Sequence, residues 1–233
     1  MSSLPRRQRK AHLRYVDDRE SNNMNFMKTQ LKALGILGSL KPEDAGMPSN
    51  TEELLGQVFG ELAKHSVETE VVRLIDHDIK HGLQTDMKDD WAGILNKIIE
   101  ADIVVFATPI WWGQPSSLIQ KVIERMDQVD NEYMMSGVSP LTHKVAGIVV
   151  TGHEDGVQHV VGTLANALTW YGFTLPPEMA AYWVGEAGPP MDQDGEKRRK
   201  NMATNMMVGT MARNLYRYAK MIKENKVMLE EKM

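Results

Sequence analysis

The chain contains no cysteine. That absence excludes disulfides, a thiolate nucleophile, a Cys-ligated zinc and a Cys-held iron–sulfur cluster. No apolar run is long enough to cross a bilayer. The basic residues Arg6, Arg7, Arg9 and Lys10 are not followed by the apolar stretch of a secretory leader. A cytoplasmic protein without a membrane partner is therefore expected. Two nucleotide signatures are also missing: the Gly-Lys-Ser/Thr of a triphosphatase loop and the Gly-x-Gly-x-x-Gly of a dinucleotide fold. With a net charge of −4, nothing points to nucleic acid as the main partner, although the basic arm could touch polyanions by itself.

What is present is ordinary for a globular chain: 42% hydrophobic and 25% charged residues over 233 positions, enough to bury a full core. Residues 1–28 are polar and charged without periodicity (Arg14, Asp17, Asp18, Arg19, Glu20), so they are expected to form a mobile arm or to wrap a neighbouring subunit. Residues 29–233 then make one domain that includes a C-terminal helix. Lys32–Leu37, Glu70–Ile75, Ile103–Phe106 and Lys144–Val150 are short apolar runs of the kind buried in a parallel sheet. Phe173–Leu175 and Tyr182–Val184 both qualify for the last strand region. Between the runs lie helical patterns: Leu54, Leu55, Val58, Phe59 and Leu62; Ile94, Leu95, Ile98 and Ile99; Leu118 to about Val129; and Val157 to a cap at Gly172. Residues 130–143 read as irregular. A long helix from about Gln193 would bury Met202, Met206, Met211, Leu215, Tyr218 and Ile222, with Lys197–Lys200 as a solvated face that could border a dinucleotide's extra phosphate.

Ala107 to Pro115 follows the strongest strand and precedes a helix starting near Ser116, so it lies where open α/β sheets bind ligands. It holds Pro109, Ile110, Trp111, Trp112 and Gly113. Both indoles could be core. Neighbouring side chains rarely enter one core together, however, so at least one is expected to face a cleft or a partner subunit.

After the first strand, Gly38-Ser39 and a Pro/Gly-rich loop lead to Ser49-Asn50-Thr51-Glu52-Glu53. Ser49 or Asn50 can cap the helix, with Glu52 or Glu53 completing a capping box. Ser39, Ser49 and Thr51 would also converge on one helix N-terminus as a phosphate cradle, with Lys41 as an added charge. A mononucleotide suits that cradle. His77 and His81 would share a helix face at metal-ligand spacing, but Asp78 stands where a zinc-protease motif needs Glu, so a solvated loop is expected and no metal. Thr151-Gly152-His153-Glu154-Asp155-Gly156 closes another strand. Its His153-Glu154-Asp155 could be an acid/base group, and a polar turn is the favoured alternative.

Three features together resemble the flavodoxin-like NAD(P)H-dependent FMN reductases and the tryptophan-repressor-binding-protein-like quinone reductases. They are Gly38-Ser39 with Ser49-Asn50-Thr51; the run from Lys97 through Glu100-Ala101-Asp102 and Ala107-Thr108-Pro109 to Gly113; and Thr151-Gly152 with Gly156. The likeness covers about residues 31–225. It implies an α/β flavodoxin-like three-layer sandwich around a five-stranded parallel sheet, binding FMN. Ser39, Ser49, Asn50 and Thr51 would hold the ribityl phosphate, Pro109, Ile110, Trp111, Trp112 and Gly113 would line the isoalloxazine, and Thr151, Gly152 and Gly156 would close its other edge.

The resemblance further implies electrons from NADPH or NADH to a quinone, free flavin or similar acceptor, in a homodimer or homotetramer. No catalytic acid or base is assigned. Relatives with clustered cysteines carry an iron–sulfur cluster, so this chain would be flavin-only. Trp170-Tyr171 stand where some quinone reductases place a His, which leaves the acceptor open. The alternative is a non-catalytic electron carrier or a protein-docking module. Loss of the Ser39 and Thr51 hydroxyls is expected to weaken FMN binding more than loss of the Trp112 indole.

Overall fold

Alternating strands and helices form the chain from Lys32 onward, and the computed structural model describes residues 30–83, 88–153, 155–185 and 194–226. In order these are β1 (Lys32–Leu37), α1 (Asn50–Ala63), β2 (Glu68–Arg73), α2 (Trp91–Glu100), β3 (Ile103–Trp111), β4 (Gln114–Pro115), α3 (Ser117–Arg125) and α4 (Asp127–Ser136). They continue with β5 (Val145–Gly152), α5 (Val157–Trp170), β6 (Ala180–Val184), α6 (Gly195–Lys200) and α7 (Met202–Glu224). The polar arm expected at 1–28 lies outside the described residues.

Five strands pair in parallel in the order β2-β1-β3-β5-β6, and β4 adds two residues antiparallel to the end of β3. Without β4 this is the flavodoxin-like order 2-1-3-4-5, so the expected fold is the observed one. Both faces of the sheet are covered. Val104, Phe106, Ile148 and Val150 pack with α2, α3 and α5 on one face. Ile103, Val105, Ala107 and Val149 pack with α1 and α7 on the other. Strands buried on both sides need apolar residues at every position, which is why β3 and β5 read as unbroken runs.

β2 differs from the expected Glu70–Ile75: it runs from Glu68 to Arg73, and Leu74–Asp76 turn into a 3-10 helix. It is an edge strand with exposed Glu68 and Glu70, so pairing with β1 rather than burial sets its limits, and charged residues suit an edge. His77 follows that 3-10 turn in extended backbone, so His77 and His81 share no helix face.

The segment expected to be irregular contains α4, and the helix expected to reach Val129 breaks at Met126. α4 exposes Tyr133, Met134 and Met135, and therefore shows no apolar stripe. Its supports are Asp127 and Asp130 in the first turn and Gly137 at φ = 75° as the left-handed stop.

The long C-terminal helix is two helices. Asn201 interrupts it, and its side chain caps α7 by accepting from the Thr204 N–H at 2.9 Å. The buried stripe is Thr204, Val208, Met211, Leu215, Ala219 and Ile222, whereas Met202 and Met206 are 78% and 70% exposed. Spacings of three to five fit either of two adjacent faces, and the sequence alone chose the wrong one for those two methionines. No described helix is long and apolar enough to span a membrane.

Candidate functional site

The strand order reverses between β1 and β3, and the carboxyl ends of these strands meet there. The Gly38 N–H donates to the Ala107 carbonyl at 2.7 Å. A Cβ on Gly38 would lie 2.4 Å from Ile119 Cγ1 and 2.7 Å from Ser116 Oγ, so only glycine lets β1 leave the sheet against the start of α3.

Ser39 and Ser49 come together across the β1–α1 loop. The Ser49 hydroxyl donates to Ser39 Oγ at 3.1 Å, and both residues are buried. Ser49 is the N-cap of α1: it is extended at φ = −127°, and its Oγ accepts from the Glu52 N–H at 3.3 Å. The Glu52 carboxylate does not reach back to complete a capping box. It pairs instead with Arg73, whose Nη1 also donates to the Lys41 carbonyl at 3.2 Å. Lys41 Nζ donates to the Pro48 carbonyl at 2.6 Å, which ties the loop to itself, and burial lowers the ammonium pKa. The result is a pair of buried hydroxyls at a capped helix N-terminus, where the first-turn N–H groups and the helix dipole favour an anion.

Thr51 and Asn50 each have a side-chain partner within the fold. Thr51 Oγ1 and Thr151 Oγ1 lie 2.6 Å apart and join α1 to β5. Asn50 Nδ2 donates to Asp194 Oδ1 at 2.6 Å, and its own Oδ1 accepts from Arg198 Nε at 3.4 Å. Asp194 also accepts from the Trp183 indole N–H at 2.6 Å, and His153 Nε2 lies 4.0 Å away. Burial pushes the Asp194 carboxyl up, but hydrogen bonds from Trp183 and Asn50 and the charge of His153 outweigh it and hold the pKa below the usual range.

The sequence marks Glu53 only as a capping-box candidate, Trp183 as a strand residue and Arg198 as part of a basic face, and gives no sign of Asp194. No spacing could link residues 144 positions apart such as Asn50 and Asp194. The solvated face expected at Lys197–Lys200 is corrected at Arg198, which is fully buried and paired through Nη2 with Glu53.

On the other side, β3 runs through Pro109 and Ile110 to Trp111, turns over Trp112-Gly113 and returns as β4. Trp112 (φ = 50°) and Gly113 (φ = 75°) are both at positive φ, as a two-residue type I′ hairpin requires. The Ser116 N–H clamps the base of the hairpin by donating to Thr108 Oγ1 at 2.9 Å. Neither indole is core: Trp111 is 37% exposed and Trp112 88%, while Ile110 is buried.

A bulky residue at positive φ is strained by about 1–3 kcal/mol. Trp112→Asn would give the favoured Asn-Gly turn and is expected to raise stability by about 1 kcal/mol in a urea melt. A loss of stability would show that packing of the indole outweighs the strain.

The β5 end completes the site. A Cβ on Gly152 would sit 2.9 Å from Ile110 Cδ1, and one on Gly156, at φ = 132°, would sit 2.9 Å from Gly113 Cα. The turns after β3 and β5 are thus in backbone contact. His159 of α5 adds a link to β4, with Nε2 3.2 Å from Gln114 Oε1. Among the described residues no group of three His, Asp or Glu side chains is arranged to hold a metal.

A family profile described as NADPH-dependent FMN reductase matches residues 31–187. The 8-demethyl-8-aminoriboflavin-5'-phosphate synthase of Streptomyces davaonensis is 36% identical over 205 residues, 83% of this chain and 79% of that protein. A Mycobacterium bovis protein described as the divalent metal cation transporter MntH is 34% identical over 203 residues, 83% of this chain but 29% of that protein, so this chain spans less than a third of it. A crystal structure of RosB with bound intermediate OHC-RP (8-demethyl-8-formylriboflavin-5'-phosphate) superposes with a TM-score of 0.74 at 34% identity, over 83% of this chain and 81% of that one.

Proposed function

This chain belongs to the NADPH-dependent FMN reductase family, and from that premise we propose that it binds FMN at the carboxyl ends of β1, β3 and β5 and passes electrons from NADPH or NADH to a quinone, free flavin or similar small acceptor. One observation carries the proposal: the buried Ser39–Ser49 hydroxyl pair at the α1 N-terminus lies at the same end of the sheet as a hairpin presenting two exposed indoles. A phosphate and a planar ring on one small molecule match those two halves.

The residues fit the group. Ser39 and Ser49 would turn their hydroxyls from each other to phosphate oxygens, and Lys41 would supply a nearby charge. Backbone groups of Pro109–Gly113 and the Trp111 face would line the ring, and Thr151, Gly152 and Gly156 would bound its far edge. The flavin, when bound, supplies the two-electron redox chemistry, and the protein supplies position and polarity. No side chain has to titrate for this role. The 88% exposed Trp112 supports a homodimer or homotetramer with the flavin near the interface, which light scattering would test.

Purified protein is expected to be yellow, to bleach anaerobically with NADPH or NADH, and to recolour with a quinone. Bound flavin that neither nucleotide reduces would overturn the reductase proposal. A second reading, that a flavin phosphate is the substrate and is altered on its ring, is favoured by the likeness to the aminoriboflavin-phosphate synthase and to RosB with its bound flavin intermediate. It predicts a changed mass in flavin extracted after turnover. Colourless protein that takes up no FMN would support a docking module.

A further inference from the structure

A phosphate cradle at the start of α1 faces an electrostatic difficulty of its own making. The first turn of α1 carries Glu52 and Glu53, two carboxylates beside the place where a dianion would sit. Like charges that close repel. Each carboxylate is covered by an arginine: Glu52 by Arg73, and Glu53 by both Arg198 and Arg199. The charged groups gathered here are Lys41, Arg73, Arg198 and Arg199 against Glu52, Glu53, Asp76 and Asp194, with His153 beside Asp194. Four cations balance four carboxylates, so loss of one cation leaves the cradle net negative.

Arg198 differs from the other three. Its side chain has 0% exposure, compared with 14% for Arg73 and 52% for Arg199. Its Nε reaches Asn50, the first residue of α1, whose amide is held from the other side by Asp194. Its Nη1 is buried without a hydrogen-bond partner. A buried charged donor left unmatched is costly and rare, and it calls for an explanation such as a ligand that binds there.

We propose that Arg198 is a specificity-determining residue of the phosphate cradle: by neutralising Glu53 and fixing Asn50 it makes the site select a flavin bearing a 5'-phosphate over the same flavin without one. The proposal rests on the FMN reading of the site. In it, α6 serves the function, because it delivers one buried guanidinium to the first turn of α1. Glu53 acts in the opposite sense. Burial pushes its carboxyl up, but hydrogen bonds and charge from Arg199 and Arg198 outweigh that and hold its pKa below the usual range, and Arg199 still faces it when Arg198 is removed.

The test is the ratio of riboflavin Kd to FMN Kd, measured by flavin fluorescence quenching on apo protein whose folding is checked by circular dichroism. Arg198→Met is expected to lower that ratio about tenfold or more while riboflavin affinity stays within about threefold. Arg198→Lys, which keeps the charge, should retain most of the preference. Glu53→Gln leaves the arginine's charge uncompensated and should raise the ratio above wild type. This variant tests the proposal even if Arg198→Met does not fold. Equal loss of both flavins in Arg198→Met, or an unchanged ratio in Glu53→Gln, overturns the role of Arg198 and leaves the FMN site standing. Wild-type protein that binds neither flavin overturns both.

Discussion

The Ser39→Ala, Thr51→Ala double variant loses FMN affinity by about tenfold to a hundredfold, the worth of the Ser39 hydrogen bond to a charged group at about 1.5–3 kcal/mol, because the Thr51 hydroxyl is committed to Thr151. Trp112→Ala loses about tenfold or less, because an aromatic contact adds only about 0.5–1.5 kcal/mol beyond burial and this indole is largely in solvent. The geometry adds a condition. Thr51 shares its hydroxyl with Thr151, so Thr51→Ala orphans a buried oxygen and costs about 1–3 kcal/mol of folding stability as well. Ser39→Ala alone leaves that bond intact and reports on the cradle. Equilibrium dialysis of FMN against all three variants, with melts alongside, separates the two effects. Equal flavin occupancy throughout would remove the phosphate assignment.

Asp89→Ala is expected to destabilise the chain by about 3–5 kcal/mol, because it strands a buried cation. Asp89 and Arg125 pair with side chains only 2% and 5% exposed. The carboxylate also accepts from the Lys80 N–H at 3.1 Å and the Trp91 N–H at 3.2 Å, and the guanidinium carbon lies 5.5 Å from the centroid of the Trp91 ring. In a chain of this length the loss lowers Tm by about 6–20 °C.

The pair also sets a pH dependence. Burial raises the Asp89 carboxyl, but the Arg125 hydrogen bond, the two backbone N–H groups and the Arg125 charge outweigh it, so its folded pKa is depressed. The stabilisation is present above the unfolded value of about 3.9 and is lost as pH falls through the lower folded value. Urea melts from pH 6 down to about 2.5 should show a smaller acid-induced loss in Asp89→Ala than in wild type. Parallel acid limbs in the two proteins would assign the loss to other carboxylates.

The sheet was legible because its strands are buried on both faces: Ile103–Phe106 and Val145–Val150 leave no polar position to confuse the pattern. The same rule failed for β2, an edge strand ordered by pairing, and for α4, which buries Val129 but exposes Tyr133, Met134 and Met135 and so carries no stripe. At the site, the meeting of Ser39 with Ser49 followed from the loop between them, a local relation. The engagement of Asn50 by Asp194 and Arg198 did not, because it depends on how α6 returns to α1 after the whole sheet has formed. The Trp112-Gly113 hairpin was hidden for another reason. A two-residue β4 has no periodicity to detect, and Trp is an unexpected residue at positive φ.

The contact of Gly113 with Gly156 has a practical consequence for altering this protein. Surface turns ordinarily accept inserted residues, because their neighbour is water. These two have each other as neighbour, so lengthening either one displaces the opposite turn and, through His159 and Gln114, the start of α5. Redesign of the ring-facing end is therefore confined to exchanging side chains at fixed loop length. Grafts of new chain belong at Gly137 after α4, where a Cβ would find no atom within 4 Å.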